Sequence, residues 1–484
     1  MFVGREKELD NLNTLYTGSA FELAVFYGRR RVGKTSLITE FIKDKPAVFF
    51  TARETNAAEN LTLLSNSIQS SRYEAGQAPV FRTFDDALDH LFSIAENKRY
   101  IFVIDEYPYL AEAWQGISSA LQEKIDHRSE KCKLFLILCG SSMSFMENQV
   151  LGYKSPLYGR RTAQYRIEAF SFFEAREFFP GMNPFDVALI YAIAGGIPTY
   201  LNLFTGKGAM KDKVMTHLLS PSGFLFEEPE NLLKQELREP ARYNAVIREI
   251  AYGSTRLSDI ASQTGLETGT VSHLLDTLMQ LGIVEREIPV TETARRGNKS
   301  IYIVTDNLYQ FWYRFIPGLI DIIQLANPEK AWEFIEEGLT AYMGRIFEDI
   351  CRQYLWRENA AERLPFFFQK AGRWWGNDPL RHATQPSPKG EGSPLEESEI
   401  DIIAIRGKSH ALFCECKWKN AETGRDVLDA LVMKAEHFHF EQKFFRLFSK
   451  APFSAACKKA AEEMGNVKLV TFKEMCKEDI SKIP

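Results

Sequence analysis

Over the first third of the chain, short unbroken apolar runs alternate with amphipathic stretches, a pattern that predicts a layered α/β domain. Leu23–Tyr27, Ala47–Thr51, Tyr100–Ile104 and Leu134–Leu138 are rich in Phe, Ile, Val and Leu without a polar position between them. Such runs suit strands buried on both faces of a parallel sheet. From Ser171 to Lys234 the pattern is helical and contains AGGIPTYL. Tyr243–Val290 then reads helix, helix, turn, helix, with strands near Glu285–Val290 and Ser300–Val304, the order of a winged helix-turn-helix. An aromatic helical connector opens at Phe311–Phe315, and from Leu339 an amphipathic helix leads to strands at Ile400–Ile405 and Ala411–Trp418. Asn377–Ser398 has no periodicity and is rich in Pro, Gly, Ser and charge, which predicts a disordered insert between two strands. The divisions expected are an α/β domain at 1–170, a helical region at 171–238, a winged helix at 239–316, a connector at 317–338 and an α/β domain at 339–484, with the insert at 377–398.

Length and composition narrow the class. At 484 residues there is room for about three domains, and 45% hydrophobic with 25% charged residues is ordinary for a soluble globular chain. The seven cysteines are scattered without zinc-finger spacing, and Cys414-Glu-Cys416 sets two thiols on one strand face. They read as reduced residues of a cytoplasmic protein. The opening MFVGREKEL has no apolar signal segment, and the longest apolar runs fall far short of the ~20 residues that span a bilayer, so no membrane partner is expected. A net charge of −5 argues against bulk electrostatic attraction to nucleic acid and leaves only local basic sites.

The chemistry begins at Gly28–Thr35. GRRRVGKT fits G-x-x-x-x-G-K-[ST], with a strand leading in and a helix leading out. Glycines let the backbone wrap until its N–H groups face phosphate oxygens, helped by the helix dipole. Gly28, Arg31, Val32, Gly33, Lys34, Thr35 and Ser36 are therefore the candidate cradle for ATP. Lys34 would reach the β- and γ-phosphates, and Thr35 would ligate Mg²⁺. About 70 residues later, RYIFVIDE runs an apolar strand into Asp105-Glu106. Asp105 would hold Mg²⁺ through its shell, and Glu106 would activate the attacking water.

These motifs, together with Phe2-Val3-Gly4-Arg5-Glu6, LILCGSS at Leu136–Ser142 and SPLYGRR at Ser155–Arg161, resemble the AAA+-related, STAND-like signalling ATPases. They resemble in particular the archaeal-type P-loop ATPases that carry a winged helix and a restriction-endonuclease-like C-terminal domain. The resemblance spans nearly the whole chain, with the insert as the main departure. It implies that Val3, Gly4 and Arg5 pack on the adenine and that Ser141, with Ser142 as its alternative, is the polar sensor after the fourth strand. It also implies that Arg160 or Arg161 faces the γ-phosphate, and that Gly195-Gly196-Ile197-Pro198 belongs to a helical lid with Pro198 near the nucleotide.

The helix-turn-helix at Leu257–Ile283 places Thr270–Leu281 in the recognition position, yet that helix carries no Lys or Arg and does carry Asp276. Ala241–Ser300 holds seven basic and seven acidic residues, so the module has no net positive field. Its basic cluster is Ala294–Lys299, in the wing. This balance favours a structural or protein-contacting winged helix over a sequence reader.

In the C-terminal domain, Asp401 on one strand is followed by Glu415-x-Lys417 on the next, with Glu348 on the preceding helix. The resemblance makes this a restriction-endonuclease-like site. Asp401 and Glu415 would bind Mg²⁺ with help from Glu348, and Lys417, on the same strand face as Glu415, would position or activate water. A half-exposed strand with Leu412, Cys414, Cys416 and Trp418 inward would give the same alternation. His410, His437 and His439 lack ligand spacing. The overall expectation is an ATP-binding and ATP-hydrolysing switch with a nuclease-like output domain. The alternatives are an ATP-gated Mg²⁺-dependent nuclease, meeting DNA or RNA through its C-terminal domain or wing, and an ATP-dependent DNA-binding regulator.

Overall fold

The structure, a computed structural model, describes residues 2–72, 81–292, 299–377 and 397–477. Residues 378–396 of the insert expected at 377–398, and 294–298 of the basic wing stretch, lie outside those residues, while Asn377, Glu397 and Ser398 belong to paired strands. The chain divides into two compact units. One comprises Met1–Phe170 with Ile197–Asn202 and Gln280–Gly282, and the other Ser171–Gly196, Leu203–Met279 and Ile283–Pro484.

The first unit is built on β1 (Glu22–Tyr27), β2 (Ala47–Thr51), β3 (Tyr100–Asp105), β4 (Leu134–Gly140) and β5 (Ala163–Arg166), in the order β2-β3-β4-β1-β5. Every neighbouring pair is parallel. Strands β3 and β4 are buried along their whole length, which is why their sequences show no alternation. Leu23, Val25, Phe102, Ile104, Leu136 and Leu138 belong to one core, where cutting a large side chain to Ala costs ~2–5 kcal/mol. Helix α1 (Lys34–Ile42) follows β1, and α2 (Ile117–Arg128) lies between β3 and β4 in sequence. Because all strands run the same way, the ends of β1, β3 and β4 share one sheet edge. Since β4 lies between β1 and β3, the residue following it falls between the phosphate loop and the acid pair.

The second unit contains α3 (Pro240–Tyr252), α4 (Leu257–Thr264) and α5 (Thr268–Gln280, whose last residue groups with the first unit). The antiparallel pair β6 (Val284–Glu287) and β7 (Ile301–Val304) completes a winged helix. Val246, Ile247 and Ile250 of α3, Ile260 of α4 and Val271, Leu274, Leu275 and Leu278 of α5 bury the apolar stripes that the periodicity announced. The first wing strand, expected to reach Val290, ends at Glu287. Beyond it the backbone turns to a different strand, with Val290 N–H donating to the Arg373 carbonyl at 2.9 Å.

Helix α6 (Pro328–Ala360) is 33 residues long. Asn327 caps it by accepting from Lys330 N–H at 3.1 Å. The division drawn between 338 and 339 falls inside this uninterrupted helix. It leads to a mixed sheet of β8 (Lys370–Asn377), β9 (Glu397–Arg406), β10 (His410–Lys417), β11 (Gln442–Ser449) and β12 (Val467–Thr471), ordered β12-β11-β10-β9-β8. β8, β9 and β10 pair antiparallel, whereas β10, β11 and β12 pair parallel. Helices α7 (Arg425–Ala435) and α8 (Ala455–Met464) pack Leu428, Leu431, Cys457 and Ala460 against Ile403, Phe413 and Leu447. On the other face, Tyr354 of α6 meets Phe448 edge-on. β10 is therefore buried on both faces from Ala411 to Cys416; the half-exposed strand is not what forms. All seven cysteines are buried and free.

Candidate functional site

At the end of β1 the chain turns with Gly28 at φ +149°, where a Cβ would stand 2.2 Å from the Ile167 carbonyl oxygen. Arg31 and Gly33 also have positive φ, +69° and +92°, so the loop closes with its amides turned inward ahead of α1. Lys34 is 6% exposed, and its Nζ donates to the carbonyls of Gly28 and Arg29, each at 2.8 Å. Burial pulls its pKa down, against the pull of Cys139, Glu106 and Asp105. Val32 is buried, whereas Thr35 and Ser36 are exposed. Thr35 Oγ1 donates to Asp105 Oδ2 at 3.1 Å.

Glu106 has φ +52° just past β3. That turn lets its Oε2 accept from Ser141 Oγ at 3.0 Å and from Ser141 N–H at 3.4 Å. Ser141, rather than its neighbour Ser142, is thus the hydroxyl that meets the acid pair. Thr35, Asp105, Glu106 and Ser141 form one continuous polar chain along the sheet edge.

The remaining candidates of this unit are less uniform. Gly4 has φ +68°, and a Cβ there would lie 2.9 Å from the Phe170 ring. Arg5 stacks over that ring at 4.2 Å and bonds the Glu168 carbonyl, while Val3 is half-buried. Pro198 Cγ stands 3.5 Å from where a Gly33 Cβ would be, and Thr199 Oγ1 reaches the Arg31 carbonyl at 3.4 Å. Arg160 does not turn to the loop. Its guanidinium grips Asp126 of α2 through two bonds of 2.7 Å, and Arg161 is exposed. Two contacts had no sequence signal: Arg29 Nη1 donates to the Gly282 carbonyl at 3.4 Å, and Arg30 Nη2 to Tyr109 OH at 3.1 Å. Both depend on chain crossings that local pattern does not encode.

In the second unit, Glu348 on α6, Asp401 on β9, and Glu415 and Lys417 on β10 gather at one end of the mixed sheet. Asp401 Oδ2 accepts from Cys416 N–H at 2.7 Å. Burial, then the neighbouring charges of Glu415 and Glu348, push its pKa up to about 8. Glu415 is 8% exposed and lies between two lysines, Lys417 Nζ at 2.6 Å and Lys434 Nζ of α7 at 3.4 Å. Burial lowers the Lys417 pKa, but Glu415 outweighs it and the net shift is upward. Burial also raises Glu348, whose carboxylate bonds Arg373 of β8. Lys434 and Arg373 were missed in the sequence because neither belongs to a spaced motif. Among the described residues, no three His, Cys, Asp or Glu side chains converge into a ready metal site; cations stand among the acids instead. Also among the described residues, no helix is long and apolar enough to cross a membrane.

Four family models match along the chain. Residues 2–204 match an ATPase domain found predominantly in Archaea, and residues 251–287 match the IclR helix-turn-helix domain. Residues 312–427 match a family of archaeal and bacterial proteins of unknown function, and residues 391–478 a restriction endonuclease family. An uncharacterized protein of Methanocaldococcus jannaschii is 32% identical over 436 residues, 88% of this chain and 89% of its own length. An uncharacterized ATP-binding protein of the same organism is 47% identical over 45 residues, 9% of this chain and 76% of its own. In fold, the chain is similar to a Walker-type ATPase of Pyrococcus abyssi, with a TM-score of 0.51 at 21% identity over 65% of this chain and 96% of that one. With a parallel P-loop sheet, a winged helix and a restriction-endonuclease-like sheet in one chain, and a relative alike over nearly its full length, this protein belongs to the archaeal-type P-loop ATPase family with a C-terminal restriction-endonuclease-like domain.

Proposed function

We propose that the protein binds ATP with Mg²⁺ at Gly28–Ser36, hydrolyses it, and uses the nucleotide state to switch its nuclease-like output domain in the cytoplasm. The observation that carries this reading is the polar chain at the sheet edge, in which Thr35 Oγ1 and Asp105 Oδ2 meet at 3.1 Å beside a buried Lys34. A hydroxyl and a carboxylate at that distance suit a magnesium ion that keeps water in its shell. Held by these two groups, the ion would supply positive charge against the phosphates. Lys34 would leave its two carbonyls for the phosphates, Thr35 and Asp105 would hold the ion, and Glu106 would orient and deprotonate the attacking water. Ser141 would hold Glu106 until then. Val3, Gly4, Arg5 and Pro198 would border the base and loop, and Arg161 remains a candidate for the γ-phosphate. Two segments group with the phosphate unit: Ile197–Asn202, and Gln280–Gly282 at the end of α5. They support a route from nucleotide to lid and winged helix.

Titrating ATP against the wild-type protein and Lys34→Ala by calorimetry tests the assignment. Binding should be lost in the variant, and equal affinities would refute it.

A second reading, a Mg²⁺-dependent nuclease on DNA or RNA, is favoured by one observation. Asp401 and Glu415 stand on paired strands, near enough for Glu415 to add to the burial that holds Asp401 toward its protonated form, with Lys417 Nζ 2.6 Å from Glu415. Asp401 and Glu415 would hold the metal, Glu348 would assist and Lys417 would position water. Incubating DNA and RNA with Mn²⁺ and either the wild-type protein or Lys417→Ala tests it. Identical product patterns would count against cleavage by this site. The DNA-reading alternative draws less support, because the wing is engaged elsewhere. Lys370 Nζ donates to the Val290 and Glu292 carbonyls at 2.5 and 3.1 Å. This anchoring favours a winged helix that contacts protein.

A further inference from the structure

The acids of the second unit share their counter-ions with the winged helix. Arg373 on β8 touches three carboxylates at once. Its Nη2 bonds Glu348, its Nε lies 3.0 Å from Glu399 Oε1, and its Nη1 lies 3.9 Å from Glu287 Oε2. Glu348 is the helix acid of the metal-site reading, whereas Glu287 is the last residue of wing strand β6. The other oxygen of Glu287 takes Arg352 Nη1 at 3.3 Å. Oε2 is buried and accepts no hydrogen bond from the described residues, and the charges of Arg373 and Arg345 offset its desolvation.

The backbone of the same residue is engaged too. The Arg373 carbonyl accepts from Val290 N–H at 2.9 Å, Trp375 Nε1 donates to the Lys299 carbonyl at 3.1 Å, and Val290 is buried in the core of the nuclease-like sheet. The wing therefore lies along the edge strand β8 and carries a carboxylate to the guanidinium that holds Glu348. Between them is a cavity of about 200 Å³ lined by Glu285, Glu287, Arg345, Glu348, Arg373 and Asp401, among others.

A guanidinium on Glu348 and a divalent cation sharing Glu348 exclude one another, both by occupying the same oxygens and by repulsion at close range. We infer that Arg373 is a positioning residue that governs metal access to Glu348, with Glu287 of the wing as its counter-charge. With the wing along β8, the guanidinium bonds Glu348 and is shared with Glu399 and Glu287. Loss of the Glu287 charge would leave Arg373 drawn more strongly to Glu348, and a metal would reach that carboxylate less readily. The charge of a wing residue is thus coupled to the metal affinity of the acid site. The inference rests on reading Glu348, Asp401 and Glu415 as a metal site.

The test is Mn²⁺ binding to the nucleotide-free full-length chain, followed by electron paramagnetic resonance, with Asp401→Asn defining the binding that belongs to this site. Arg373→Gln should tighten that binding by about tenfold, and Arg373→Lys, which keeps the charge, should stay within about threefold of wild type. Glu287→Gln should weaken it by about threefold and keeps an oxygen for Arg352. Both changes should disappear in an Glu348→Gln background, as a coupling through that residue demands. Unchanged or weaker binding in folded Arg373→Gln overturns the inference. So does unchanged or tighter binding in Glu287→Gln, which needs no substitution of Arg373. If Asp401→Asn binds Mn²⁺ as wild type does, the metal-site reading itself fails, a result distinct from a normal site that ignores Arg373.

Discussion

In the first unit the charged side chains of the site lean on backbone and hydroxyl groups: Lys34 on two carbonyls, Asp105 on Thr35, Glu106 on Ser141. In the second unit they lean on one another: Glu348 on Arg373, Glu415 on Lys417 and Lys434. A site of the first kind keeps its shape when one charge is removed, because the partners left behind are neutral and can turn to water. A site of the second kind is a balance of buried ions, and taking away one member leaves another uncompensated. The phosphate site should thus be separable from the stability of its unit, and the acid site should not.

The sharpest break of this comparison comes from Lys34→Met. It should lower ATP affinity by about 10³-fold, or ~4 kcal/mol, since the ammonium supplies charge-assisted bonds to phosphate. The same variant should unfold within ~1 kcal/mol of wild type, because a desolvated ammonium is replaced by an apolar side chain of similar reach. Isothermal calorimetry and chemical denaturation read the two effects separately. A large loss of stability would place Lys34 among the structural ions.

The acid site should instead show itself through pH. Asp401 has its folded pKa raised from the ordinary 3.8 to about 8, first by burial and then by Glu415 and Glu348. Between those values the unfolded chain has released the proton and the folded chain still holds it. Stability conferred on the second unit therefore falls as pH rises from about 4 to about 8, by at most ~1.4 kcal/mol per pH unit from this group. Asp401→Asn should flatten that slope, as read from denaturation midpoints at pH 5 and 8, and an unchanged slope would remove Asp401 from the balance. Lys417→Met should have a smaller effect, ~1–2 kcal/mol at neutral pH, because Lys434 still faces Glu415 at 3.4 Å. A loss below ~0.5 kcal/mol in the same measurement would show that the lysine is dispensable to the fold.

How far the sequence led also differs between the two sites, and for the same reason. GRRRVGKT lies on consecutive residues whose conformation is local, so its glycines and Lys34 were legible, as was the acid pair at the end of a fully apolar strand. Ser141 was legible too, because the end of β4 is fixed by a run of buried residues. Asp401, Glu415 and Lys417 could be read from strand spacing, but their surroundings could not. Arg373 sits in GRWWGN and Lys434 in VMKA, neither with any periodic signal, and Glu287 belongs to no spaced motif. What brings them together is the turn of Val290 onto β8, a non-local strand pairing set by edge geometry rather than by pattern. The first wing strand stops short of Val290 for that reason, and α6 runs through the expected division because Gly338, alone at that point, is tolerated inside a long helix.

Arg160 gives the smallest effect and the finest test. The resemblance left Arg160 and Arg161 as equal candidates to face the γ-phosphate, and the two differ in what they touch. Arg160 holds Asp126 by a two-point bond and draws the Asp126 pKa down, whereas Arg161 is exposed. A guanidinium already matched to a carboxylate fork gives up two charge-assisted bonds if it turns elsewhere, so its work is to tie the loop after β4 to α2. Exposed pairs of this kind contribute little, and Arg160→Ala should cost ~0.5 kcal/mol, matched by Asp126→Ala and not exceeded by the double variant. Steady-state ATP turnover should be unchanged by Arg160→Ala and reduced about tenfold by Arg161→Ala. Turnover lost with Arg160 and kept without Arg161 would reverse the assignment, and would mean that the bond to Asp126 opens when nucleotide binds.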